Sequence, residues 1–173
     1  YNQEIMLEQL SRSFPEYAED ISDPFDGLRQ KKINCLGLAI SACALDLDNI
    51  LLRHTVALNA SGIWSVEFTH FFAVEPTSLL ITELTNEPYW LAQRSLDEYG
   101  DGMSPYDTCF PEARELIRTI TSNGSKSNRE NLNLGDVCEV RVVRIDPELA
   151  LYKLGGEGSL IDLRGEILNA DAF

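Results

Sequence analysis

The sequence is short of positive charge: 14 Lys and Arg stand against 28 Asp and Glu, a formal net charge of −14 over 173 residues. Neutralising phosphates needs a basic patch, so no direct nucleic-acid partner is expected. Solubility is favoured, and so is a basic partner. Histidine is scarce, with His54 and His70 alone, and cysteine is confined to positions 35, 43, 109 and 138. Four cysteines are too few for a disulfide scaffold, and none stands in the Cys-x-x-Cys spacing of zinc or thioredoxin-type sites. Reduced thiols in a cytoplasm are therefore expected, with no metal. No apolar run approaches the roughly 18 residues of a membrane helix, so no membrane partner is expected. The start carries no basic n-region followed by an apolar h-region. Gly155-Gly156-Glu157-Gly158 lacks the Gly-Lys-Ser/Thr of a phosphate loop. Asp20, Asp23, Asp26 and Gly27 lack the alternation and closing Glu of an EF-hand.

What remains is an ordinary globular composition, 44% hydrophobic and 24% charged, in a chain long enough for its own core. Residues 3–14 read as a helix, with Ile5, Met6, Leu10 and Phe14 at helical spacing. Pro15 suits the first position of a second helix to Ile21, and Ser22–Gly27 is turn chemistry. Asn34 is a good N-cap for a buried helix from Cys35 to Leu45. Strand-like runs follow at 51–58, 63–75 and 79–85, and their short separators predict an antiparallel meander. Asn86-Glu87-Pro88 is read as opening a helix to Tyr99, and Pro111 another to Ser122, with a loop over 100–110. The polar stretch 122–131 divides an α+β core, residues 1–131, from a β-rich extension over 132–173. Strands are expected there at 137–145, 149–154 and 159–163, with a hairpin turn at Gly155–Gly158. The whole is an α+β fold, the extension packed on the same domain.

Cys35 is the residue with chemical potential. A thiolate in the first turn of a helix is stabilised by free N–H groups and the positive end of the dipole. A nucleophile also needs a base, and the base an orienting group. If the first hairpin closes over Asn59–Gly62, His54 faces Glu67. If the second turns at Pro76-Thr77, His70 faces Glu83. Either pair would then stand with Cβ atoms about 5 Å apart. Side chains alternate along a strand. This places His70 with Val66, Phe68, Phe72 and Val74 on the more apolar face, under the Cys35 helix, and His54 with Ser65, Glu67, Thr69 and Ala73 on the other. The expected set is Cys35 as nucleophile, His70 as general base and Glu83 as orienting carboxylate, with His54 and Glu67 as the substitute pair. Cys43, Trp64, Tyr89 and Trp90 are read as packing residues, and Asp97, Glu98, Asp101 and Asp107 as a solvated acidic loop.

A cysteine opening a helix, followed by a β-meander bearing His and a carboxylate, resembles the transglutaminase-like branch of the papain-like superfamily. The residues that carry this are Asn34-Cys35-Leu36-Gly37-Leu38-Ala39 and His70-Phe71-Phe72-Ala73-Val74, with 35 residues from Cys to His. Glu83 stands 13 residues past His70, where such proteins more often place Asp a little later. A second alignment runs through His54-Thr55-Val56-Ala57-Leu58 and Gly62-Ile63-Trp64-Ser65-Val66-Glu67, similar to the family's His…Gly-x-Trp…Asp block. The likeness covers about residues 33–85. It implies a cysteine hydrolase or acyltransferase acting on peptide or amide bonds without a cofactor, with a protein or peptide substrate. The charge suggests a different class: a non-catalytic acidic domain that binds a basic protein, as immunity proteins, antitoxins and nucleic-acid mimics do.

Overall fold

The computed structural model describes residues 2–60, 63–86, 89–98, 112–124, 128–135 and 137–170. The loop expected over 100–110, the opening proline at 111, and Ser61 and Gly62 lie outside them, as do Asp101, Asp107 and the side chains of Trp64, Tyr89 and Trp90. The element order is α1 (Gln3–Ser13), β1 (Glu16–Tyr17), α2 (Pro24–Gln30), β2 (Lys32–Ile33), α3 (Cys35–Leu45), β3 (Ile50–Ala60), β4 (Ile63–Val74), β5 (Leu80–Asn86), β6 (Tyr89–Ser95), α4 (Glu112–Ser122), β7 (Arg129–Asn133), β8 (Cys138–Ile145), α5 (Pro147–Lys153) and α6 (Leu160–Ala170). The fold is α+β. An antiparallel six-stranded sheet, in the order β6-β5-β4-β3-β8-β7, carries helices on both faces.

The layers follow from alternation along the central strands. In β3, Leu51 points to the face covered by α3, while Leu52 and Val56 point to the face covered by α4. In β4, Ala73 goes to the first face, and Phe72 and Val74 to the second. α3 is apolar all round (Leu38, Ala39, Ile40, Ala42, Cys43, Ala44, Leu45), as a helix must be when it is surrounded. Met6 and Leu10 of α1, Phe25 of α2, Leu151 of α5 and Leu163 and Ile167 of α6 complete that core. On the other side α4 lays down Ala113, Ile117 and Ile120, one helical stripe, against Val140 and Val142 of β8.

Several local expectations are corrected. The helix expected over 15–21 is absent; instead β1 pairs in parallel with β2. The turn expected over 22–27 contains the start of α2, because Asp23 accepts the Phe25 N–H and Pro24 takes the first helical position. The helix expected from Asn86 is the strand β6, paired with β5 along its whole length. In the C-terminal part only β8 keeps its expected strand. Residues 149–154 belong largely to α5 and 159–163 to α6, with Gly155–Gly158 as a helix–helix connection. Asp146 with Pro147 caps α5, and Ser159 with Asp162 caps α6. The boundary expected between 131 and 132 falls inside β7. Because β8 lies between β3 and β7, the C-terminal residues share one sheet with the rest and contribute to the apolar layer on each of its faces.

Candidate active site

The site is built from the start of α3. Asn34 caps that helix: its Oδ1 accepts the Gly37 N–H at 3.2 Å. Its Nδ2 donates to the Glu19 carbonyl at 3.0 Å and to Ser22 Oγ at 2.5 Å, tying the helix start to the preceding chain. Gly37 is required by close approach. A Cβ there would lie 2.2 Å from Ile33 Cδ1 and 2.6 Å from the Ser22 carbonyl oxygen. Cys35 thereby occupies the first helical position, where N–H groups have no acceptor within the helix, and the Leu36 N–H donates to its sulfur.

The sheet opens where the helix begins. β4 and β5 pair only at Ala73–Thr82 and Val74–Ile81. Beyond these, β4 stays with β3 and β5 with β6. A continued ladder would bring Leu84 opposite Phe71; instead the Phe71 N–H donates to the Cys35 sulfur. His70, the next residue, hydrogen-bonds the same sulfur. Its Nε2 lies 3.3 Å from Glu83 Oε1, so Nδ1 is the nitrogen left for Cys35. The His70 ring stacks on Phe72, with centroids 5.9 Å apart. Glu83 Oε2 accepts from Arg94 Nη2 at 3.0 Å. Arg94 stands opposite Ile81 and Glu83 opposite Ala92, so the pair spans the diagonal of the β5–β6 ladder.

Cys35, His70 and Glu83 are therefore brought together, by a route that differs from the expected one. The second hairpin does not align His70 opposite Glu83; the two meet across the opening between β4 and β5. α3 also does not cover the face of Phe68, Phe72 and Val74, which packs against α4. It reaches His70 with its N-terminus, at the strand opening. The pairing of His54 with Glu67 is corrected as well. The first hairpin turns one residue later than expected and a bulge between Leu58 and Asn59 adds another, which sets His54 opposite His70 on one face and Glu67 opposite Ala57. Glu67 binds Arg141 at the surface. Arg94 is not among the expected site residues because Asn86-Glu87-Pro88 reads as a helix start; the placement of Glu83 and Arg94 on paired strands is the signal that finds it.

Charge alternates through the cluster. Burial pushes the Cys35 thiol up, but the hydrogen bond and charge of His70, with the Phe71 and Leu36 N–H groups, outweigh it and hold the thiol below its ordinary value. Burial pulls His70 down, but its bonds to Cys35 and Glu83 raise it to about 10. Glu83, 4% exposed, is raised by burial and lowered further by His70 and Arg94, with a net fall. These shifts favour the charged forms of all three groups, a thiolate at Cys35, an imidazolium at His70 and a carboxylate at Glu83. His54 is pushed down to about 3 by its burial and by the charge of His70, so it is neutral. Cys43, wholly buried, is pushed up to about 12. Among the described residues no group of three or more His, Cys, Asp or Glu is placed to hold a metal, and no helix is long and apolar enough to cross a membrane. The chain matches no protein-family model, no curated protein and no solved structure.

Proposed function

We propose that the protein is a cysteine-dependent hydrolase or acyltransferase acting on peptide or amide bonds, similar in its site to transglutaminase-like enzymes and working in a reducing cytoplasm. The observation that carries this is the hydrogen-bonded row from the Cys35 sulfur through His70 to Glu83, with the sulfur at a helix N-terminus. In the first step the thiolate attacks the substrate carbonyl carbon and forms a C–S bond. The oxygen becomes an oxyanion, for which N–H groups of the first turn are donors, the Leu36 N–H being released from the sulfur as the C–S bond forms. The C–N bond then breaks, and the leaving amine takes the His70 proton. The resulting thioester is attacked by water or an amine, which gives its proton to His70, and breaking of the C–S bond restores the thiolate. Glu83 holds the ring and stabilises its charged form, as the third member of such sets does.

The test is acylation by p-nitrophenyl acetate. The protein should release a burst of one equivalent of nitrophenolate near neutral pH and carry a thioester on Cys35. Cys43, at its raised pKa, is the internal control and should stay unmodified. Cys35→Ser should abolish the burst and His70→Ala should slow it at least about 100-fold, the usual worth of a positioned base. No burst from the folded protein would sink the catalytic reading. The net charge of −14 favours one rival, a non-catalytic domain that binds a basic protein. That rival requires salt-sensitive association that Cys35→Ser leaves unchanged.

A further inference from the structure

We infer that Arg94 is a positioning residue of the proposed catalytic set, fixing and charging Glu83 so that Glu83 can hold His70. This rests on the catalytic reading above. Each oxygen of the Glu83 carboxylate has its own cation: Oε1 faces His70 Nε2 at 3.3 Å, and Oε2 receives Arg94 Nη2 at 3.0 Å. Glu83 and Arg94 side chains are 4% and 11% exposed, so little water competes for either. A buried carboxylate with only one partner could rotate about its terminal bond, and its burial would favour the neutral form. The second cation removes both freedoms. A planar guanidinium suits this because its donors are fixed in direction. Arg94 is itself anchored: Nη1 reaches the Glu98 carbonyl at 3.5 Å, in the turn that follows β6. The titratable groups that bear on Glu83 are His70 on β4, Arg94 on β6, His54 on β3 behind His70, and Cys35 on α3 beyond it. The route from Arg94 to the sulfur runs through Glu83, whose other oxygen faces His70.

The experiment is the pH profile of Cys35 alkylation by iodoacetamide in the full chain, with circular dichroism and an unreactive Cys43 as checks of folding. The wild-type midpoint should lie below that of a free thiol. Arg94→Met should raise it by about one pH unit, a tenfold slower rate at any pH well below both midpoints. Arg94→Lys, which keeps the charge, should stay within about threefold of wild type. Glu83→Gln should match or exceed Arg94→Met, and the double variant should show no more than Glu83→Gln alone. If Arg94→Met does not fold, Arg94→Gln carries the same comparison. An unchanged midpoint in a folded Arg94 variant, or a double variant displaced well beyond Glu83→Gln, overturns the inference and leaves the catalytic reading standing. A wild-type midpoint at the free-thiol value overturns both.

Discussion

Replacing Asn34 by Ala isolates the device that places Cys35 at the start of α3. The substitution removes three hydrogen bonds: one accepted from Gly37 and two donated, to Glu19 and Ser22. Loss of an Asn cap costs about 1 kcal/mol. Each donated bond is worth about 1 kcal/mol when dry. Asn34 is half-buried, so water recovers part of the second contribution, and a total of about 2 kcal/mol is expected. That is roughly a 30-fold rise in the unfolding constant. With a urea slope of about 2 kcal/mol per molar, the midpoint should fall by about 1 M. The Cys35 thiol should rise at the same time, because the first turn that supplies the Leu36 N–H is no longer fixed. Asn34→Asp separates the two effects. It keeps the acceptor and suits the helix dipole, so about half of the lost stability should return. It adds a negative charge on the residue adjoining Cys35, however, and like charges disfavour the thiolate, so alkylation should remain slow. Urea titration followed by circular dichroism, with alkylation of the same samples, reads both. A midpoint shift below about 0.3 M for Asn34→Ala, or equal losses for the Ala and Asp variants, refutes the reasoning.

Gly37→Ala should destabilise the chain by about 2 kcal/mol, although Ala ordinarily strengthens a helix by about 1 kcal/mol, because the added Cβ meets the immobile Ser22 carbonyl oxygen; a more stable variant in urea titration contradicts the close approach. His54 gives an acid-side signature. Its folded value of about 3 lies below the ordinary 6.5, so the unfolded state binds the proton first and stability is lost as pH falls below about 6.5. Compared with His54→Leu, the wild type should lose roughly 100-fold in its folding constant by pH 4.5, and parallel curves for the two proteins count against a neutral buried His54. His70 runs the other way. Its raised value gives a contribution that is full below 6.5 and lost as pH climbs through about 10.

The sequence made some of this legible for reasons that can be named. α3 was readable because Asn34 is a strong cap and the run behind it is apolar without charge. The meander was readable because β-branched and aromatic residues cluster between short polar separators. The meeting of Cys35, His70 and Glu83 emerged although both hairpin registers were displaced, because the contact depends on an opening between strands that no alternation rule describes. Three helices were missed through one error. Asp23-Pro24, Asp146-Pro147 and Ser159…Asp162 are all helix starts, and each was passed over as turn or strand chemistry. Tyr89–Ser95 was lost in the opposite sense. Its local start signal suggested a helix, but pairing along all of β5 decided otherwise. With that strand misread, Arg94 had no neighbour and so no role.

The place of β8 in the sheet has a consequence for biosynthesis. A ribosome that has finished residues 35–86 has already made the sulfur, the ring and both meander hairpins. The edge of β3 that β8 will occupy is then still bare, with eight main-chain pairings waiting for residues 138–145. A nascent chain at that point holds Cys35, His70 and Glu83 but presents an open strand edge, the kind of surface that captures a neighbour. Closure of the sheet waits for residues 138–145, so the support of the candidate site is completed only after all of its own residues have been made.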